Sequence, residues 1–316
     1  MDAPQRLIIG TRGSALARWQ AAHVADLLRV RHAGLDLEER IVESDGDLHE
    51  SSPISALGST GVFVRRLEEA LLGQKIDLAV HSLKDMPTDQ PDGLTIAALL
   101  ERHDPRDALV SLQGWTLDDV PAGTVVGTGS LRRRSQLLHR RPDLDVVPMR
   151  GNLDTRIRKL QSGEVGALVL ALAGLQRLGL DSVPVCPLDI GMCLPAAGQG
   201  ALAVEIREND DRTAGFVEPL NHKGTWVCTS AERAFLRRLG GGCLAPASAF
   251  ARIDGDRLEV EGAVGDPDGF SMLAERETGE PECAPIIGSR LAERLLVAGA
   301  RRILLEARTD EPREQD

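Results

Sequence analysis

Short apolar runs alternate with stretches of helical apolar spacing along the first two thirds of the chain, a pattern that predicts βαβ units and a parallel or mixed sheet. Residues 7–11 predict a strand entering a turn at Arg12-Gly13-Ser14, and residues 14–31 a helix whose apolar stripe carries Leu16, Trp19, Val24, Leu27 and Leu28. A second strand is expected near 39–43. Residues 44–60 have no periodicity and are rich in Ser, Gly, Asp and Pro; they read as a lid or as a disordered segment, being longer than most connections. A helix is expected over 63–72, strands over 77–82 and 94–100, and, at the polar stretch 101–107, a domain boundary near 100–106. The same logic then repeats, with strands at 125–128, 145–149 and 167–172, helices from Ser130 and Asn152, and a later strand at 201–206. After Asn221, a helix over 225–239, alternating runs at 247–253 and 258–264 and a helix over 289–298 predict a small α+β domain. The expected architecture is α/β, two like domains followed by the α+β one.

Length and composition narrow what such a protein does. The 316 residues leave room for two or three cores, and 42% apolar with 27% charged residues excludes a mainly disordered chain. A net charge of −11 disfavours a surface that attracts nucleic acid or anionic lipid as a whole, and 3% aromatics with no tyrosine remove the stacking platforms of single-strand binders. Basic character is carried by 33 arginines and only four lysines, a bias that base composition alone can produce, so only clustered arginines are informative. Five cysteines without a CxxC pair fit neither a disulfide framework nor a zinc ribbon, and no metal-ligand spacing stands out, so a reducing compartment and no metal are expected. The N-terminus has no secretory h-region and the apolar run 165–175 is too short for a bilayer, which predicts a cytoplasmic protein without membrane contact.

Four stretches have chemical potential. Gly10-Thr-Arg-Gly-Ser14 and Gly127-Thr-Gly-Ser130 each end a strand and open a helix; they read as capped turns or as anion cradles, because first-turn amides lack intrahelical partners and glycine lets a ligand approach them. Residues 128–159 hold nine basic residues against three aspartates. Arg132 and Arg133 lie in a first helical turn, where the macrodipole disfavours cations, so a multiply anionic ligand is the expected reason for them. Arg150 and Arg156, flanking the expected N-cap Asn152, offer forked donors for carboxylates or phosphates, whereas Arg140, Arg141 and Arg158 fit a solvated helix face. His81-Ser-Leu-Lys-Asp85 ends a strand where α/β sheets place ligands; Lys84 and Asp85 read as an anion-binding cation beside a proton-handling carboxylate, or as a surface pair, and His81 reads equally as a functional or a structural residue. Cys243 follows three glycines and is an accessible-thiol candidate, while the other cysteines read as inert.

In order, GTRGSALARWQ, VHSLKDMP, ERHDPRDA, VGTGSLRRRSQL, RGNLDTR, LALAGLQRLGL, LPAAGQGALAVE and GGGCLAP resemble the porphobilinogen deaminase (hydroxymethylbilane synthase) family over residues 6–307. The resemblance implies two periplasmic-binding-protein-like α/β domains around a cleft, domain 1 at 1–100 and 201–218 and domain 2 at 101–200, plus a C-terminal α+β domain at 219–316. It also implies a monomeric transferase of tetrapyrrole and haem biosynthesis, carrying a dipyrromethane cofactor joined by a thioether to Cys243. On it four porphobilinogens are joined head to tail with loss of ammonia, and hydroxymethylbilane is released by hydrolysis. Asp85 matches the catalytic aspartate, which assists loss of the amine and stabilises the cationic azafulvene. Arg12, Ser14, Lys84, Arg132, Arg133, Arg150 and Arg156 match carboxylate-binding positions, with Ser82, Thr128, Ser130 and Asn152 as neutral donors. Gly129, Thr60 and Gly240 depart from the serine, basic residue and glutamate that many relatives carry there. A small-molecule sensor has no need of an accessible thiol at Cys243 or of Asp85 in a basic pocket, and the net charge and missing aromatics argue against nucleic-acid binding by the 128–159 arginines, which sets both readings behind the enzyme.

Overall fold

The computed structural model describes residues 6–43, 64–180, 182–240, 242 and 245–309; the expectations for Cys243, Thr60 and the 45–60 segment lie outside the described residues. In chain order the elements are β1 (Arg6–Thr11), α1 (Ala15–Arg31), β2 (Asp36–Ile41), α2 (Arg65–Leu72), β3 (Leu78–Ser82), β4 (Leu94–Leu99), β5 (Asp107–Val110), β6 (Val125–Thr128) and α3 (Leu131–Arg140). There follow β7 (Asp145–Pro148), α4 (Leu153–Gln161), β8 (Ala167–Ala171), α5 (Leu172–Leu178), β9 (Val185–Pro187), β10 (Leu202–Arg207) and α6 (Asp211–Val217). The chain closes with α7 (Lys223–Leu239), β11 (Ala247–Asp254), β12 (Arg257–Gly265), β13 (Met272–Gly279), α8 (Ala284–Leu295) and α9 (Arg301–Thr309).

Two compact units result, Met1–His103 with Gly200–Trp226, and Asp104–Gln199 with Val227–Asp316. The first is built on a sheet of order β2-β1-β3-β10-β4, in which β1 is parallel to β2 and β3 while β10 runs antiparallel to β3 and β4. One face packs on α1 through Leu7, Ile9, Val24, Leu28 and Val80, the other on α2 through Leu67, Leu71, Ile76 and Ala79. Helix α1 begins where the Ser14 hydroxyl accepts the Ala17 amide at 3.3 Å, which satisfies one of the amides a helix leaves orphaned. Its buried stripe is Ala17, Gln20, Ala21, Val24, Ala25 and Leu28, so the expected stripe is rotated: Leu16, Trp19 and Leu27 are only half-buried. Alanines on the sheet side let the helix axis approach the strands, and the larger side chains flank the contact.

The second unit holds two sheets. One has the order β7-β6-β8-β5-β9, with β6 parallel to β7 and β8 and β5 antiparallel to both β8 and β9. Helix α3 covers one face through Leu137, and α4 and α5 cover the other through Ile157, Leu160, Leu172 and Leu175. The other is the antiparallel β11-β12-β13 sheet, whose core with α7, α8 and α9 is centred on Phe235, Ile287 and Leu291.

Several elements escaped the sequence pattern for identifiable reasons. Strand β2 begins three residues before its expected position because DLEERI is a polar edge strand, and β13, with MLAERETG, is an edge strand whose Arg276 pairs with Glu259 and Glu261 rather than burying an apolar face. Strand β5 starts inside the polar stretch read as a boundary, and α5 follows β8 without any polar break.

Helices α7 and α8 pack backbone against backbone at Ala231 and Gly288. A Cβ added at Gly288 would lie 2.0 Å from the Ala231 carbonyl oxygen, and no side-chain motion relieves a backbone clash. Gly288→Ala is therefore expected to lower unfolding free energy by about 1–3 kcal/mol in a urea titration. Gly215→Ala, where a Cβ would meet nothing within 4 Å, leaves the midpoint unchanged or raises it.

Candidate active site

In the first unit, β1 and β3 are parallel neighbours, with Ile9 opposite Leu78 and Gly10 opposite Ala79. Their carboxyl ends therefore share one sheet edge, which brings the Arg12–Ser14 turn beside the Ser82–Asp85 turn. The Ser82 hydroxyl accepts from Gln20 Nε2 at 3.0 Å, tying α1 to the end of β3. Beyond it the Leu83 amide bonds the Ala201 carbonyl at 3.1 Å, and Leu83 and Met86 are buried with Val64 and Leu99. Anchors at 83 and 86 turn the intervening residues outward: Lys84 is half-buried and Asp85 exposed. Gly10 is dictated by packing, since a Cβ there would sit 2.2 Å from Ile76 Cδ1.

In the second unit, the parallel strands β6, β7 and β8 likewise end at one edge, with Thr128–Ser130 after β6 and Arg150–Asn152 after β7. Asp107 opens β5 opposite Ala171 at the end of β8, so its fully buried carboxylate lies at that same edge. Arg132 Nη1 donates to Oδ2 at 2.7 Å and to the Leu194 carbonyl at 2.8 Å. Arg133 donates to Oδ1 from Nε and Nη2 at 3.0 and 2.8 Å, and from Nη1 to the Val169 carbonyl at 3.1 Å. Gln199 Nε2 reaches Oδ1 at 2.9 Å and the Cys193 thiol reaches Oδ2 at 3.4 Å. Burial works to raise the Asp107 carboxyl, but the charges and hydrogen bonds of Arg132 and Arg133 outweigh it and hold the group well below the usual carboxylate range. Burial, reinforced by the Asp107 charge, pushes the Cys193 thiol up to about 12, so it is an inert hydrogen-bond donor.

The first turn of α3 thus has an internal anion that sequence reasoning did not foresee: Asp107 partners both Arg132 and Arg133 there. The two arginines also differ. All three nitrogens of Arg133 are engaged inside the unit, whereas Arg132 uses only Nη1, and its Nε and Nη2 make no hydrogen bond among the described residues.

Other expected donors take their places around that edge. Ser130 and Asn152 occupy the N-cap positions of α3 and α4, yet neither side chain caps its helix. The Thr128 hydroxyl accepts from the Ser130 amide at 3.4 Å. Arg156 Nε bonds the Gly151 carbonyl at 2.8 Å, and its Nη2 lies 3.7 Å from where a Cβ on Gly129 would stand. That Cβ would also come within 2.8 Å of the Met149 carbonyl oxygen, so the glycine keeps the β6–α3 turn open to the Arg156 guanidinium. Arg150 is half-buried after β7. Arg134, Arg141 and Arg158 are spent elsewhere: Arg134 on Val146, Pro267 and Asp268, Arg141 on Asp143 and the carbonyls of Leu117 and Val120, and Arg158 on Thr155. Asp107, Gln199 and Gln20 were missed in the sequence. Asp107 alone had a signal, as the acid directly before the apolar run of β5.

Forked donors, uncapped helix starts and a bare glycine turn are what a ligand with several carboxylates requires, so the donor set fits an oligopyrrole bearing acetates and propionates. The fold defines an α/β protein with Gly/Ser turns at the carboxyl edges of two sheets. Residues 7–215 match the family model described as porphobilinogen deaminase, dipyromethane cofactor binding domain, and residues 226–297 the model of the porphobilinogen deaminase C-terminal domain. Among solved structures, the periplasmic aliphatic sulphonate binding protein SsuA from Escherichia coli is similar at 16% identity and a TM-score of 0.41, over 74% of this chain and 70% of its own. The L-cystine solute receptor of Neisseria gonorrhoeae, in its unliganded open conformation, is similar at 12% identity and a TM-score of 0.39, over 69% of this chain and 86% of its own. The chain belongs to the porphobilinogen deaminase family. It is a transferase of tetrapyrrole biosynthesis that works with a dipyrromethane cofactor. Among the described residues no helix is long and apolar enough to cross a membrane.

Removing the Asp107 charge leaves two buried guanidiniums without their anion, so Asp107→Asn is expected to cost about 3–5 kcal/mol in urea unfolding at pH 7. Because the carboxyl is depressed in the fold, its contribution is complete above the unfolded value of about 3.9 and is lost as pH falls through the folded value. The gap between wild type and variant should accordingly narrow in the acid range; a gap that stays constant down to the acid transition would remove Asp107 from the stability argument.

Proposed function

We propose that the chain joins four porphobilinogens head to tail with loss of ammonia and releases hydroxymethylbilane by hydrolysis, with Asp85 as the catalytic carboxylate and Cys243 as the cofactor's point of attachment. The observation that carries the reading is the Ser82–Asp85 turn, where buried Leu83 and Met86 hold an exposed carboxylate next to Lys84 at the carboxyl edge of β3. Bound dipyrromethane supplies the pyrrole end to which substrate is joined. Asp85 favours departure of the protonated amine from porphobilinogen, places negative charge opposite the carbon left cationic, and accepts the pyrrole N–H. Lys84, Arg12 and Ser14 bind substrate carboxylates beside it, with Ser82 as a neutral donor.

In the second unit, Arg132 presents its Nε–Nη2 edge to a carboxylate while Asp107 fixes its other arm, and Arg156, Arg150, Asn152, Thr128 and Ser130 complete the donor set. Arg133 acts on the ligand chiefly as the strut that holds Asp107. The division into domains at 1–100 with 201–218, 101–200 and 219–316 belongs to the same reading and is supported by the separate core of the β11–β13 sheet. So does a monomer working in the cytoplasm, a state that sedimentation tests.

Two measurements decide the assignment. Intact masses of denatured wild type and Cys243→Ser are expected to differ by two pyrrole units beyond the substitution itself, with the excess confined to wild type. Asp85→Asn, with the mass excess still present, is expected to lose about 10²–10⁴-fold in kcat; turnover at the wild-type rate would dismiss Asp85 as the catalytic group.

A further inference from the structure

The face of the first sheet opposite α1 gathers a set of titratable groups, two buried and one half-buried, that the mechanism does not use. His81 on β3 and Glu205 on β10 are diagonal neighbours across an antiparallel pair, since Glu205 stands opposite Ala79, two residues from His81. Their side chains are 4% and 0% exposed, and His81 Nε2 lies 3.1 Å from Glu205 Oε2. Among the described residues the second carboxylate oxygen of Glu205, Oε1, is buried without a hydrogen-bond partner, and so is Oε1 of Glu68, which descends onto the same face from α2. Two orphaned carboxylate oxygens beside one imidazole are costly if both acids are ionised, and a proton retained on one of them removes the repulsion.

We propose that half-buried Glu68 and the buried His81–Glu205 pair form one group, with Glu68 carrying a proton, and that the group positions the Ser82–Asp85 turn. Burial, followed by the negative charge of Glu205, raises the Glu68 carboxyl, and His81 works in the opposite direction. The other charges facing Glu68 are Glu69 and Arg65 on its own helix, an exposed pair at 3.2 Å. The route to the turn is short. His81 directly precedes Ser82, and Val64, one helical turn before Glu68, packs with Leu83 and Met86, the two anchors that project Lys84 and Asp85. An ionised Glu68 pushes against Glu205 and disturbs that layer.

The positioning half rests on Asp85 being catalytic; the proton-holding half does not, and stability reads it separately. A group raised in the fold contributes fully below its unfolded value of about 4.3 and loses its contribution as pH rises through the folded value. Glu68→Gln, permanently neutral, should therefore melt with wild type at pH 5 and about 2–4 °C above it at pH 8. Superimposable melting curves at both pH values would overturn the proton on Glu68. For positioning, Glu205→Gln and His81→Ala, with cofactor verified by intact mass, should lose at least about tenfold in kcat with KM within twofold. The kcat of Glu68→Gln should also hold at alkaline pH where that of wild type declines. Wild-type kcat in folded Glu205→Gln and His81→Ala overturns positioning, and if Asp85→Asn also turns over normally, the fault lies with Asp85 and the melting result stands alone.

Discussion

A single buried carboxylate organises the second unit. Asp107 accepts hydrogen bonds from Arg132, Arg133, Gln199 and the Cys193 thiol, so four side chains from the start of α3 and from the 193–199 stretch converge on its two oxygens. Taking a carboxylate and two guanidiniums out of water costs several kcal/mol per ion, recovered only by close geometry and by satisfying the remaining donors. The recovery has a directional consequence: the start of α3 is fixed relative to β5 and β8, and with it the Thr128–Ser130 turn and the unbonded edge of Arg132. Preorganised donors of this kind do not reorganise when a ligand arrives, which is where much of the advantage of a built anion site lies.

Charge and its support are divided differently in the two units. In the second, the arginines are braced by an internal anion. In the first, the Ser82–Asp85 turn is braced by apolar anchors, Leu83 and Met86, and by the amide of Gln20 on Ser82, so its carboxylate stays exposed and is not consumed by the scaffold. A catalytic acid tied down like Asp107 would be held ionised but unavailable; one projected like Asp85 remains free to meet a substrate.

The strands and helices with apolar periodicity were legible: β1, β3, β6, β8, β11 and β12 were all visible as runs, and the two Gly/Ser turns at β1 and β6 were correctly placed at strand ends. What stayed hidden was set by tertiary context. The polar edge strands β2 and β13 have no face to bury, and β5 begins with a charged residue that only its long-range partners make tolerable. The arginine cluster was visible, but which member faces a ligand and which an internal aspartate depends on a contact across some 25 positions of sequence, which no local pattern encodes.

The first sheet is discontinuous, and that has a consequence for biosynthesis. β3 and β4 are adjacent in sequence but are joined in the sheet only through β10, the strand between them, which follows the whole of 104–199. At translation rates of roughly 5–20 residues per second, the emerging chain carries two strands with a missing neighbour for about 5–20 s. The sheet made by β5 to β9 has no such wait, because all its strands are contiguous in the chain. Vectorial synthesis thus favours completing the second sheet first, and the order of assembly on the ribosome runs against the order of the sequence.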